Sequence, residues 1–326
     1  MDLTKDIYYD KEYLSLYLKK DEEIAEFSYK EDNYSFYHLA IKRPIKSIGE
    51  IKINDNYFDL ETAYGYGGYY SNTSNIDFLN RALNKFDIYC KDNNIIAEFS
   101  RIHPFNKTPC DIKAYYDFFV LDRKTISVNT SLSTEKRWET YPSKLRTIIR
   151  KCKKELTFRK TTNLDAFIGL YEKTMLKNNA DDFYYFDKSY FESLLKLKNV
   201  ELYEVLHNDN VISASFVLFG QDIGHYHLSA NDYENRKFNA NYFILDSIFD
   251  IANEKGIKEF HLGGGRTNTE DDTLLRFKSK FSPSTQNFYI SGKIHDKDIY
   301  NKYITLWEKG KDKHIEYPKF FLKYRL

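Results

Sequence analysis

Val200-Glu-Leu-Tyr-Glu-Val-Leu-His207, Val211-Ile-Ser-Ala-Ser-Phe-Val-Leu-Phe219 and Ile223-Gly-His-Tyr-His-Leu-Ser-Ala230 are three runs rich in β-branched and aromatic residues. Between them lie only the polar turn Asn208-Asp209-Asn210 and, after Gly220, the turn Gln221-Asp222. Links that short join antiparallel neighbours, so the spacing predicts a three-stranded meander. Downstream, 241–255 reads as a helix stopped by Gly256, and 258–262 as a strand running into Gly263-Gly264-Gly265. A short helix at 274–281 and a strand at 287–292 follow. Upstream, 164–176 and 190–197 read as helices. In 133–155, Ser133 is a candidate N-cap and Pro142 interrupts the pattern, which predicts two short helices. The first third mixes strands at 34–41, 48–53, 95–101, 114–121 and 125–130 with a helix at 75–93. That helix aligns Ile76, Leu79, Leu83 and Phe86 on one face. The fold class expected is α/β with mixed, α+β-type sheets.

The 326 residues suggest about two domains at roughly 150 residues each. With 49 Lys+Arg against 48 Asp+Glu, the net charge of +1 excludes a globally basic nucleic-acid coat or an acidic disordered tail. Only 13 Gly and 6 Pro are present, which excludes low-complexity and collagenous chains. Cys90, Cys110 and Cys152 form no CxxC pair, which argues against a disulfide scaffold or a zinc site and for a reducing compartment. The eight histidines are scattered, so no metal is expected. No signal-peptide pattern opens the sequence, and no run approaches the ~20 apolar residues a membrane span needs. A soluble, cytoplasmic protein is the expectation. The abundant Tyr and Phe accompany Lys, Asn and Ile, all with A/T-rich codons, and are not read as a stacking surface. Between Lys136 and Lys160, ten basic residues face only Glu139 and Glu155, a local excess of +8. The domain junction is placed just before this run, giving domains 1–130 and 131–326.

Four stretches of the second half carry a family resemblance: Tyr226-His-Leu-Ser-Ala230, Asn239-Ala-Asn241, His261-Leu-Gly-Gly-Gly265 and Asp272-Thr-Leu-Leu-Arg-Phe-Lys-Ser-Lys-Phe281. In the first half, Thr62-Ala-Tyr-Gly-Tyr-Gly-Gly68 and Phe99-Ser-Arg-Ile-His-Pro104 add to it, as does Leu145-Arg-Thr-Ile-Ile-Arg-Lys151 at the junction. Over about residues 55–300 the sequence resembles the FemAB-type transferases, peptidoglycan-bridge aminoacyltransferases within the GNAT acyltransferase superfamily. The resemblance implies tandem GNAT-like domains facing a central cleft. It also implies acyl transfer to an amine of an envelope precursor. Nothing between Lys160 and Val200 sustains heptads, so the helical arm of the longer members is not expected, which leaves tRNA use open.

Such a transfer needs a positioned carbonyl, a neutral amine and a charge beside the oxyanion. The family pattern assigns the last role to Lys278, with Phe277 walling the pocket. The glycines Gly263, Gly264 and Gly265 let backbone approach a substrate. Tyr226, His227 and Ser229 lie on the strand where GNAT enzymes contact the donor. Alternation puts Tyr226 on one face and His227 with Ser229 on the other. His227 and Asp272 are the candidates for moving the amine's proton, although Asp272 reads equally as part of a helix-start charge cluster. GNAT enzymes that use CoA hold its pyrophosphate on a glycine-containing turn at a helix start. The equivalent Asn235–Asn241 stretch has no glycine, leaving Arg236, Lys237, Asn239 and Asn241 as donor-binding candidates. Tyr64, Tyr66, Arg101 and His103 in the first half, with Arg146 and Arg150 at the junction, are candidates for holding the acceptor.

The expected activity is therefore an N-acyltransferase moving an aminoacyl or acyl group onto a nucleotide- or lipid-linked amino sugar or peptide. An acyl-CoA-dependent sugar N-acyltransferase is the alternative. A catalytically decayed precursor- or glycan-binding protein is the non-enzymatic one. No tightly bound cofactor is expected, only aminoacyl-tRNA or acyl-CoA as co-substrate. DNA is not an expected partner, and membrane contact would be peripheral.

Overall fold

The computed structural model describes residues 1–177, 185–309 and 320–326. Part of the stretch read as lacking a helical arm, residues 178–184, lies outside the described residues.

In chain order the strands longer than two residues are β1 (Glu23–Glu31), β2 (Tyr34–Pro44), β3 (Phe58–Glu61), β4 (Ile95–Arg101), β5 (Phe118–Asn129), β6 (Thr157–Thr161), β7 (Val200–His207), β8 (Asn210–Phe219), β9 (Ile223–Asn231), β10 (Glu259–Gly264) and β11 (Thr285–Ile294). The main helices are α1 (Ile76–Asp92), α2 (Thr134–Thr140), α3 (Ser143–Glu155), α4 (Leu164–Lys177), α5 (Lys188–Lys196), α6 (Ala240–Glu254), α7 (Thr273–Lys278) and α8 (Lys297–Lys309). The Ser133 side chain caps α2 by accepting from the Lys136 N–H, and Pro142 stands at the start of α3. The two strands expected at 114–121 and 125–130 are one strand, β5, preceded by a 3₁₀ turn at Lys113–Tyr115. The strand expected at 48–53 reduces to a hairpin of two-residue arms.

The chain forms two compact units. The first comprises residues 2–4, 8–122 and 287–326; the second comprises residue 1, 5–7 and 123–286. Beyond the first eight residues, which alternate between the units, the chain passes between them within β5 and again within β11. This differs from the division at 1–130 and 131–326, most of all for 287–326. The aromatic face of α8 explains the difference: Tyr300, Tyr303 and Trp307 bury against Ile45, Ile48 and Ile96 of the first unit.

The first unit's sheet runs β1-β2-β3-β4-β11, with α1 burying Phe78, Leu83 and Phe86 against it. The second unit's sheet runs β5-β10-β9-β8-β7-β6, and the expected antiparallel meander is β7-β8-β9. Almost every residue of β8 is buried because both faces are covered. On one side Leu145, Ile149 and Cys152 of α3 join Ile244, Ile248 and Phe249 of α6 against Val205, Val217 and Phe260. On the other, Phe167 of α4 and Phe191 of α5 pack on Phe216 at 4.8 and 5.9 Å between ring centroids. Each such side chain contributes roughly 1.5–3 kcal/mol through burial.

Candidate active site

The site begins where two strands part. β9 and β10 run parallel, but their pairing covers only Ile223–His225 against Glu259–His261. Both strands are irregular just beyond. Opposite Ser215–Val217 of β8, β9 fits in an extra residue between Tyr226 and Ser229, and β10 shifts register between His261 and Gly263. A bulge of this kind bends a strand and re-aims its side chains. It also breaks the alternation read from the sequence. Tyr226 packs on the α3–α6 core, its hydroxyl bonded to Ser229 and Ser215, and burial pushes its pKa up to about 12 despite those bonds. Ser229 thus joins Tyr226 rather than His227.

Past the bulge, β10 feeds the loop 263–267. Gly263 sits at φ +73°, a left-handed conformation that a residue with a Cβ adopts only under strain. A Cβ on Gly265 would overlap the Asp272 carboxyl. Asp272 organises this loop. One of its oxygens accepts from the Leu275 N–H at 2.8 Å, capping α7; the other accepts from the N–H groups of Arg266 and Thr267, both at 2.9 Å, and from the Thr267 hydroxyl. Burial raises the carboxyl's pKa, but these donors outweigh it and hold the group at about 2. A carboxylate so stabilised is a poor proton acceptor, and its geometry is that of a loop anchor.

Lys278 ends α7 and is only 6% exposed. Its Nζ donates to the Gly264 carbonyl at 2.7 Å. Burial lowers its pKa to about 7; Asp272 pulls the other way, and Arg123 adds to the depression. Arg123, on β5, donates through Nη1 to the carbonyls of Gly265 (2.9 Å) and Arg266 (3.1 Å). Phe277 packs on Tyr242 at 4.9 Å between ring centroids.

Adjoining this loop is a cavity of about 670 Å³ at the start of α6. Arg266 and Tyr242 line it, so it shares one wall with the Lys278 loop and another with the Phe277 ring. Its cations are Lys173, Lys177, Arg236 and Arg266, against Asp232 and Glu234. Lys177 and Arg236 both lie over the Tyr233 ring, at 2.8 and 4.2 Å from its centroid. Among the donor-binding candidates, Arg236, Asn239 and Asn241 line the cavity, whereas Lys237 lies over the Phe238 ring and is not among the lining residues. Asn239 takes the left-handed conformation, φ +56°, and no side chain caps α6. Asparagine enters that region more readily than other residues with a Cβ, so it does here what a glycine would.

His227 is not among the residues lining the cavity. Its Nε2 is 3.3 Å from the Tyr190 hydroxyl of α5, and burial together with neighbouring His225 lowers its pKa to about 3. It is therefore a weak base at neutral pH. His225 bonds Asp6 at 2.8 Å.

Four of the ten cations of the basic stretch are answered by acids distant in sequence. Arg137 pairs with Asp250, Lys153 with Asp246 and Asp250, Arg159 with Glu204, and Lys160 with Glu201. Arg146 donates to the Trp138 carbonyl, and Arg150 lies 5.3 Å from the Trp138 ring centroid. Both tie α3 to α2. In the first unit, Arg101 pairs with Glu61 at 2.9 Å and lies over the Phe99 ring. His103 is fully buried among Tyr8, Tyr9, Tyr66 and Phe105. Tyr66, half-buried, lies 5.8 Å from its ring, and Tyr64, also half-buried, lies 6.2 Å from Tyr17.

The sequence reading missed Arg123, Arg266, Tyr242, Lys173 and Lys177. Arg266 and Tyr242 directly follow quoted motifs and were within its reach; the others come from elements that only the fold brings near.

Residues 143–279 match the acetyltransferase (GNAT) domain family. No curated protein matches the chain significantly by sequence. Among solved structures, FemX shares the fold with a TM-score of 0.69 at 14% identity, covering 92% of this chain and 94% of that one. The C-terminal domain of a putative lysylphosphatidylglycerol synthetase from Agrobacterium fabrum gives a TM-score of 0.54 at 15% identity, with 93% and 92% covered. L-PGS from Bacillus licheniformis gives 0.52 at 12% identity, with 82% and 84% covered. Identities this low speak for the fold, which is mixed α/β and tandem GNAT-like. Among the described residues no helix is long and apolar enough to cross a membrane.

Proposed function

From a FemX-like fold carrying a GNAT acetyltransferase domain, we propose that this protein is an N-acyltransferase that moves an aminoacyl or acyl group onto an amine of a cell-envelope precursor. The observation that carries the reading is Lys278, a buried cation held on the Gly264 carbonyl beside a basic cavity. An ammonium has three donors, and Gly264 takes one of them. In a site shielded from water, such a cation stabilises a developing oxyanion by far more than it would in solution.

In this reading the donor's phosphate-bearing part lies in the cavity, against Arg236, Lys177 and the open start of α6. Its carbonyl reaches the Lys278 side chain past Arg266 and Phe277. The attacking amine arrives neutral, and Lys278 bears on the oxyanion of the tetrahedral intermediate. The proton released by the amine goes to solvent or to the leaving group, because His227 and Asp272 hold pKa values far below that of an amine. The reading draws on no first-unit residue: of the acceptor candidates there, His103 is fully buried among aromatic rings and Arg101 is paired with Glu61.

Aminoacyl-tRNA is the preferred donor, because the turn before α6 lacks glycine. The left-handed Asn239 favours a second reading, acyl-CoA, since it restores the conformation that turn needs. Thermal-shift titrations with acetyl-CoA, free CoA and a UDP-linked amino sugar separate the two. A ligand of the native state raises the melting temperature according to RT ln(1 + [L]/Kd). A shift with acetyl-CoA sinks the aminoacyl preference; a shift with the nucleotide sugar alone supports it. If none shifts the protein, and Lys278→Met leaves a cellular envelope phenotype intact, the non-enzymatic binding role replaces both.

A further inference from the structure

We propose that Arg123 is a positioning residue for Lys278, acting through the loop 263–267. This rests on the reading of Lys278 as the acyl-transfer cation. The geometry is a two-sided clamp. Arg123 reaches from β5 to hold the carbonyls of Gly265 and Arg266, while Asp272 holds the N–H groups of Arg266 and Thr267. The peptide between Gly265 and Thr267 is thus gripped on its acceptor edge by a guanidinium and on its donor edge by a carboxylate. The Gly264 carbonyl, one residue before the clamp, is what Lys278 Nζ meets. Both bonds leave one nitrogen, Nη1, whose two N–H groups are fixed in the guanidinium plane and diverge toward two adjacent carbonyls, a geometry that a freely rotating lysine ammonium does not hold. Gly264 leaves no room for a Cβ between itself and the Arg123 side chain, so the arginine lies flat along this strand end.

The clamp also sets the electrostatics at the lysine. Asp272, at the start of the same helix, favours the ammonium, and Arg123 disfavours it. The loop and helix further carry Arg266, Arg276 and Lys280. Removing Arg123 therefore loosens the loop and strengthens proton binding at Lys278, whereas a purely structural arginine would change only the first.

The test needs no substrate. Trace labelling of the purified full-length chain with acetic anhydride across pH, read by peptide mass spectrometry, gives the titration midpoint of Lys278. Amide hydrogen exchange of the peptide 263–268 reports the clamp. The expected wild-type midpoint is about 7. Arg123→Met raises that midpoint and speeds exchange at least tenfold. Arg123→Lys keeps the midpoint near the wild-type value but still speeds exchange. Unchanged exchange in both variants, or an unmoved midpoint in Arg123→Met, overturns the proposal. If Arg123→Met does not fold, exchange in Arg123→Lys decides alone. Catalysis is scored separately: a Lys278→Met protein that still transfers acyl groups removes the proposed function and leaves the labelling result standing.

Discussion

Residues 64–69 and 263–267 are both glycine-rich stretches that follow strands, one in each unit, and they are secured by opposite chemistry. Around the first, aromatic side chains close in. The Tyr9 hydroxyl donates to the carbonyls of Gly67 and Gly68, the Tyr13 hydroxyl to that of Tyr64, and the Tyr8 ring lies where a Cβ on Gly65 would be. Around the second, charge does the holding, with Arg123 and Asp272 on either edge of one peptide. The first stretch ends packed against a buried histidine. The second ends beside a buried cation with a cavity next to it. Glycine permits close approach in both, and what approaches decides whether the result is a core or a site.

The largest effect that would break this comparison is at Lys278. Lys278→Met should lower kcat for acyl transfer by about 100-fold or more, the scale of losing one oxyanion-stabilising group; steady-state kinetics would check this. An equivalent loss from His103→Phe would mean the aromatic stretch is also a site. Next is Gly65→Ala, which must displace the Tyr8 ring from a position at φ +102°. It should cost about 1–3 kcal/mol in denaturant unfolding, with turnover per folded molecule little changed.

A third prediction concerns pH. Lys278 has a folded pKa of about 7, below the ~10.4 of an unfolded lysine. Between these values the unfolded chain binds more protons, so stability rises with pH across that window. Lys278→Met should flatten the rise, seen as a gain in melting temperature at pH 6 that shrinks by pH 10. The same titration predicts that kcat/KM falls as pH rises through 7, because the ammonium is the form that stabilises an oxyanion. The smallest effect is expected at Arg150→Ala, which removes an exposed contact with the Trp138 ring worth about 0.5–1 kcal/mol. A large, salt-dependent loss of acceptor binding in that variant would reinstate the basic stretch as a ligand surface.

Much of the second unit was legible because its signals are local. The meander shows in three apolar runs, and the Phe277-Lys278 pair and the triple glycine stand close together in sequence. The bulge at Tyr226–Ser229 was invisible, since register depends on the partner strand. Arg123 was missed because its partners, Gly265 and Arg266, lie on a strand end and loop more than a hundred residues away. Part of the +8 excess is answered out of sequence for the same reason, by Asp246 and Asp250 on α6 and Glu201 and Glu204 on β7. In the first half, strand β1 was overlooked; its alternating Glu, Ser and Lys place mostly polar side chains outward.

The passage of the chain between the units at β5 and again at β11 bears on how the molecule is made. The second unit draws nearly all its residues from one stretch, 123–286, and can close as soon as that stretch leaves the ribosome. The first unit, although begun earlier, lacks β11 and the aromatic face of α8 until residues 287–326 have been synthesised. Ile45, Ile48 and Ile96 must wait for Tyr300, Tyr303 and Trp307, so the half translated first is the half completed last.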